Sequence, residues 1–186
     1  MSSSAGIIII GDEILTGRTK DTNINWIANE LNEMGINLKE ARVIEDNKEI
    51  IINTVLEFSK KFTYVFTSGG IGPTHDDITT ESIAAAFKVD LEKNKIAMNL
   101  LKKHYEKSNI DFNEARQKMA IIPKGASLID NPVSVAPGFN IKNVYVFAGI
   151  PKIMQSMFHS ISSKLKGGII IKSKTITCDI GEGKIA

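Results

Sequence analysis

Residues 5–10 read Ala-Gly-Ile-Ile-Ile-Ile, a run that is not broken by any polar side chain. A short run of this kind suits a strand buried on both faces, and such strands belong to parallel sheets covered by helices above and below. Gly11-Asp12-Glu13 ends it. Beyond that point Trp26, Ile27, Leu31 and Met34 recur at helical spacing, with Gly35 placed to stop the helix. Residues 36–44 read as a second strand. Residues 47–60 read as a helix with Ile51, Val55 and Phe58 on one face, and residues 63–67 as a third strand closed by Ser68-Gly69-Gly70. Strand, helix, strand, helix, strand predicts an α/β fold with a parallel sheet between helices. Further helices are expected over 78–87, 92–108 and 113–120. Pro123, Gly125, Pro132, Pro137 and Gly138 then mark a loop-rich stretch. A strand over 144–147, a helix opened by Pro151 and a last strand over 169–178 complete the order.

The 186 residues suffice for one core, and no repeat or interdomain linker interrupts them. Lys and Arg outnumber Asp and Glu by 23 to 21, too small an excess for a bulk nucleic-acid binder. The lone Cys178 cannot close an internal disulfide, which fits a reducing, cytoplasmic setting. No segment approaches the ~20 apolar residues of a membrane span, and Met1-Ser2-Ser3-Ser4 lacks the basic start of a signal peptide.

Sheets of this kind bind ligands beyond the carboxyl ends of their strands. Both glycine-bearing loops, after the first and third strands, fall there. The stronger one runs Ser68-Gly69-Gly70-Ile71-Gly72-Pro73-Thr74-His75-Asp76-Asp77. Its glycines let backbone N–H groups approach an anion, and a helix start follows. Ser68 and Thr74 add hydroxyls. Asp76 and Asp77 add carboxylates that can hold a metal or orient a nucleophile. A tight turn with one capping Asp is the plainer account, but it needs neither three glycines nor two acids. The loop is neither a Walker loop nor a Rossmann fingerprint.

The first loop carries Gly11, Asp12 and Glu13 at the strand end, then Arg18 and Lys20, which could offset phosphate charge. Asp21 or Thr22 can cap the helix that begins near Asn23. Asp46 follows the second strand. Alone it reads as a cap, but with Asp12 and Asp77 on neighbouring strand ends it suggests an acidic cluster. Residues 131–139, with Ser134, Pro137 and Gly138, could form a rigid rim, and Gly149 sits in another strand-to-helix turn. Of His75, His104 and His159 only His75 borders the acids; zinc spacing and a Gly-x-Ser-x-Gly elbow are both missing.

Taken together, Gly-Asp-Glu-Ile-Leu at 11–15, Asp21-Thr22-Asn23, the 68–79 motif, the Asn131-Pro132 to Gly138-Phe139 segment and Gly149-Ile150-Pro151 resemble the MoaB/Mog-like domain family. The likeness is strongest to domains of the competence/damage-inducible protein A (CinA) type, and extends to the domain fused to some eukaryotic FAD synthetases. The resemblance implies a three-layer α/β/α sandwich with a mostly parallel sheet over residues 1–178, residues 179–186 opening a truncated further segment. Some family members adenylylate a pterin dithiolene phosphate with Mg²⁺. CinA-type domains are associated instead with metal-dependent cleavage of ADP-ribose or similar dinucleotides. Full-length CinA adds a C-terminal nicotinamide mononucleotide deamidase domain, which lies outside this sequence.

Three functions therefore compete. In the first, Mg²⁺, Mn²⁺ or Co²⁺ held by Asp12, Asp46 and Asp77 serves hydrolysis of a nucleoside diphosphate linkage. Asp46, Asp76 and Asp77 do the catalytic work, while the N–H groups of Gly69, Gly70 and Gly72 hold the pyrophosphate. The ligand set is expected to comprise Gly11, Asp12, Glu13, Asp21, Asn23, Ser68, Gly69, Gly70, Gly72, Pro73, Thr74, Ser134, Pro137, Gly138 and Gly149. In the second, the same pocket binds molybdopterin and transfers AMP to it. In the third, it binds nucleotide without turnover. The ligand is in each case a small nucleotide or pterin phosphate, and a symmetric homo-oligomer, dimer or trimer, is expected.

Overall fold

In the computed structural model, which describes residues 3–168 and Ile170, the isoleucine run is β1 (Ser4–Ile10) and its isoleucines are at most 3 % exposed. Its side chains part by parity, as alternation across a strand demands. Ala5, Ile7 and Ile9 enter one core with Ile27, Leu31 and Phe158. Ile8 and Ile10 enter the other with Ile51, Val55 and Phe58. One strand thus glues two helical layers to one sheet.

After β1 come the single-turn α1 (Asp12–Leu15), α2 (Asn23–Glu33), β2 (Asn37–Ile44), α3 (Lys48–Lys61), β3 (Tyr64–Ser68) and α4 (Thr79–Phe87). All but α1 stand within a residue or so of the expected bounds. β1 lies between β2 and β3, parallel to both. The next stretch departs from expectation. Leu91–Lys93 is not helical; it forms β4, and the helix α5 (Lys95–Lys107) starts where the Asn94 side chain accepts from the N–H groups of Ile96 and Ala97, each at 3.0 Å. The partner of β4 is β5 (Ile121–Pro123), which lies beyond α6 (Glu114–Lys118), so local periodicity carries no trace of the pairing.

The stretch expected as loops also contains strands. β6 (Ser127–Ile129) and β7 (Gly138–Ile141) pair antiparallel, and β7 pairs antiparallel with β8 (Val144–Phe147). β8 lies parallel to β3, giving, among the described residues, a six-stranded sheet in the order β2-β1-β3-β8-β7-β6. It is parallel across four strands and antiparallel at one edge. α7 (Pro151–Ser162) opens with its proline in the first turn, as expected, and buries Met154, Met157 and Phe158 beside α2. With α3 and α4 on the other face, the architecture is a three-layer α/β/α sandwich. The β4–β5 module carries a small cluster of its own, Ala97, Leu101 and Ala120 with Tyr105, Phe112 and Met119 packed against it. The strand expected over 169–178 (Ile170 apart) and the boundary after 178 lie outside the described residues. Among the described residues, no helix is long and apolar enough to cross a membrane.

Candidate functional site

A cleft of about 790 Å³ opens beyond the carboxyl ends of the parallel strands. Gly11 and Glu13 reach it from β1, Asp46 from β2, and residues 69–73 with Asp76 and Asp77 from β3. Gly149 and Ile150 reach it from β8, while Ser134 and Asn131 stand on the rim. The opposite wall is Tyr105 and Met119 of the β4–β5 module, neither of which the sequence singled out. Arg18 and Thr19 complete the polar side. Tyr105 and Met119 were missed because their approach depends on how the module folds back over the sheet.

The glycine-rich loop owes its path to backbone conformations that other residues resist. Gly69 has φ 114° and Gly70 φ 67°. The Gly69 N–H donates to the Phe147 carbonyl at 3.1 Å, so it is engaged within the protein and is not free for a ligand as expected. The N–H groups of Gly70, Ile71 and Gly72 have no acceptor among the described residues. Further along, the Asp77 carboxylate accepts from the Thr74 N–H at 2.8 Å and from the Thr74 hydroxyl, closing the loop on itself.

Several expected ligand residues serve the frame. Asn23 is 4 % exposed, and its Nδ2 donates to Ser68 Oγ at 2.9 Å and to the Gly149 carbonyl at 2.8 Å. Ser68, equally buried, lies within 3.3 Å of the Ala148 carbonyl, to which it donates. These bonds tie α2, β3 and the β8–α7 turn together beneath the cleft, so neither side chain lines it. Asp21 is a helix cap, accepting from the Ile24 N–H at 3.0 Å. Pro137 and Gly138 are also absent from the cleft wall; Gly138 begins β7 and packs against Val146 and Met157. Thr74 contributes through Asp77 and does not line the wall. The rim is self-braced as expected. Asn131 Nδ2 donates to Ser134 Oγ and to the Ala136 carbonyl, both at 2.7 Å, and its Oδ1 accepts from the N–H groups of Val133 and Ser134.

Asp46 is freed from the capping role by its neighbour, since Asn47 accepts from the N–H groups of Glu49 and Ile50 to start α3. Asp46 Oδ2 instead accepts from the Asp12 N–H at 3.1 Å, and Asp12 Oδ1 accepts from the Asp46 N–H at 3.3 Å. This reciprocal pair joins the ends of β1 and β2 and leaves the Asp12 side chain off the cleft wall. Among the described residues no three His, Cys, Asp or Glu side chains converge as a metal-ligand set, so the expected Asp12, Asp46 and Asp77 trio is not assembled.

Burial, followed by repulsion from Asp12, Glu13 and Asp76, pushes the Asp46 carboxyl above its ordinary range; the Asp12 N–H opposes this. Asp76 moves the other way, its carboxyl held below the ordinary range. A raised carboxyl binds more protons folded than unfolded. Its contribution is therefore full below the ordinary value of 3.8 and is lost as pH rises through the raised one. Asp46→Asn keeps an oxygen for the Asp12 N–H. It is expected to be more stable than the parent at pH 7 by up to about 1 kcal/mol, a gain limited by solvent screening, and no more stable in acid below the ordinary value. Urea titrations at neutral and acidic pH check this; a neutral-pH loss would show that the charge stabilises the free protein.

A family model described as "Probable molybdopterin binding domain" matches residues 6–166. The chain belongs to this MoaB/Mog-like family. The crystal structure of CinA from Thermoplasma acidophilum, a protein described as of unknown function, is similar to this chain at TM-score 0.81 and 34 % identity, covering 88 % of this chain and 98 % of that one. MoaB from Pyrococcus furiosus, a tungsten cofactor synthesizing protein, shares the fold at TM-score 0.57 and 22 % identity, over 88 % of this chain and 92 % of that one. A protein of Sulfurisphaera tokodaii is 39 % identical over 165 residues, 86 % of this chain and 63 % of that protein. This MoaB/Mog-like chain, a molybdopterin-binding domain of the CinA/MoaB type, thus spans just under two thirds of such curated relatives.

Proposed function

We propose that the domain hydrolyses the diphosphate linkage of ADP-ribose or a similar dinucleotide with the help of a divalent metal. The observation that carries this reading is the pairing, in one cleft, of acceptor-free N–H groups at Gly70, Ile71 and Gly72 with a surplus of carboxylates. Among the described residues, Glu13, Asp46, Asp76 and Asp77 face the cleft against one basic side chain, Arg18. A diphosphate seated on the N–H groups would meet four acids, and a divalent cation between them reconciles the charges. Mg²⁺-like binding needs only one or two protein carboxylates, which share the ion with water and substrate phosphates. Asp46 and Asp76, which both line the cleft and are near enough to repel each other, would hold it. Mg²⁺, Mn²⁺ or Co²⁺ there would neutralise phosphate charge and make bound water a better nucleophile.

The chain's own groups do the rest. The glycine-loop N–H groups fix the phosphates, and the start of α7 at Ile150 adds a favourable dipole. Asp77, on the same cleft wall, suits the base that takes a proton from the attacking water. Tyr105 and Met119 from the module and Ile153 from α7 give the cleft apolar surface for a flat heterocycle. That surface equally suits a pterin, which supports transfer of AMP to molybdopterin as the second reading. The lone Cys178 supports a cytoplasmic setting.

The purified chain is expected to release AMP from ADP-ribose only with a divalent metal, read by mass spectrometry beside FAD, NAD and ATP plus molybdopterin. AMP transfer to the pterin would instead establish the second reading, and no turnover of any substrate would leave a binding module.

A further inference from the structure

The glycine-rich loop between β3 and α4 is held from outside as well as from within. Lys118, the last residue of α6, donates from Nζ to the Thr74 carbonyl at 2.9 Å and to the Asp77 carbonyl at 2.8 Å. Its ammonium is engaged by these carbonyls and, among the described residues, by no ion-paired carboxylate. A second, smaller hollow of about 140 Å³ lies behind the loop, bounded by Ile71, Gly72, Asp77, Glu81 and Lys118. Ile71, Gly72 and Asp77 therefore separate two open spaces, the cleft and this hollow. A loop with room behind it can fall back unless something pins it. The Asp77–Thr74 bonds close the loop's own ring but tie it to no other element, whereas Lys118 ties both of those residues to α6.

The neighbour of Lys118, Met119, faces the cleft, as does Tyr105 from the same module. Tyr105 is itself packed on Phe112, ring centroids 5.6 Å apart, and Arg116 of α6 lies over its ring at 5.1 Å, so the wall is tied to α6. Seating of the module thus sets the cleft's far wall and the shape of the phosphate loop at once.

We propose that Lys118 is a positioning residue whose bonds to the Thr74 and Asp77 carbonyls hold the glycine-rich loop in its ligand-receiving shape, so that ligand affinity depends on the seating of the β4–β5 module. The inference rests on the reading of this loop as a phosphate-binding surface. Charge-assisted bonds of this kind are the stronger ones, and two act at one atom.

Hydrogen exchange by mass spectrometry tests it, comparing the parent with Lys118→Met and Lys118→Arg, alongside calorimetric titration with ADP-ribose and Mg²⁺. Lys118→Met should exchange residues 70–77 about tenfold faster while β1 and β3 keep their protection, and should bind ADP-ribose about tenfold more weakly. Lys118→Arg, which retains donors for both carbonyls, should restore most of each. Should the Met variant fail to fold, Lys118→Gln takes its place. Unchanged exchange in the loop overturns the proposal, as does faster exchange with unchanged affinity or loss of protection spread evenly over the sheet. A parent that binds no ADP-ribose counts against the dinucleotide reading alone, and loop exchange then decides the role of Lys118.

Discussion

Asp77→Asn is expected to lower metal-dependent release of AMP by about 10²- to 10⁴-fold, the span usual for removal of a charged catalytic group, with the melting temperature almost unmoved. The two halves of that expectation come from one set of bonds. Asp77 Oδ2 accepts from the Thr74 N–H and hydroxyl, and an asparagine oxygen can accept from both. What Asn cannot supply is the negative charge that Asp77 brings to the cleft wall. Asp77→Ala separates the roles further. It removes the acceptor as well, leaves the exposed Thr74 N–H to water and should cost roughly 0.5–1.5 kcal/mol of stability in addition to activity. Turnover and thermal unfolding measured on both variants decide the matter. Full turnover in Asp77→Asn would reduce Asp77 to a loop-building residue and remove it from the chemistry.

Gly69→Ala should have the largest effect on stability of any single-methyl change at the cleft. At φ 114° an L-residue is strained, and the added Cβ would overlap the Ile10 carbonyl oxygen, a backbone atom of the central strand. That oxygen cannot swing aside as a flexible side chain could, because Ile10 is paired with Ile44 in the sheet. A loss of about 3 kcal/mol is expected, which for a domain of this size lowers the melting temperature by roughly 6–12 °C. The loop must also shift away from β1, so phosphate binding falls with it. Thermal unfolding monitored by circular dichroism tests the first part, and a melting temperature within a degree or two of the parent would refute the close approach of Gly69 to Ile10. Gly70→Ala is the informative comparison, since its Cβ would meet a side-chain hydroxyl, that of Thr79, in place of backbone.

Most of the layered fold was legible because its signals are local. The unbroken apolar run of β1, the helical spacing of Ile51, Val55 and Phe58, and the prolines and glycines at element ends each express a rule that acts within a few residues. Strand ends with glycine turns also pointed to the right edge of the sheet, because ligand crevices follow from parallel topology. The sequence left a choice open where two accounts used the same residue type. Asp21 and Asp46 both looked like caps or ligands; Asp21 caps, while Asn47 takes that duty from Asp46. Asn23 and Ser68, expected on the ligand, are buried because their bonds to Gly149 and Ala148 draw them under the cleft.

By itself, then, the sequence determined the α/β layering, the place of the cleft at the carboxyl edge and the glycine-rich loop that borders it, since periodicity and turn chemistry are written in neighbouring residues. Only the tertiary structure decided which side chains share the cleft. The antiparallel edge formed by β6 and β7, the β4–β5 pairing that carries Tyr105 and Met119 to the far wall, and the Lys118 bonds to the loop all join residues distant in the chain. Such contacts depend on how whole elements pack, and nothing in the spacing of a few residues specifies them.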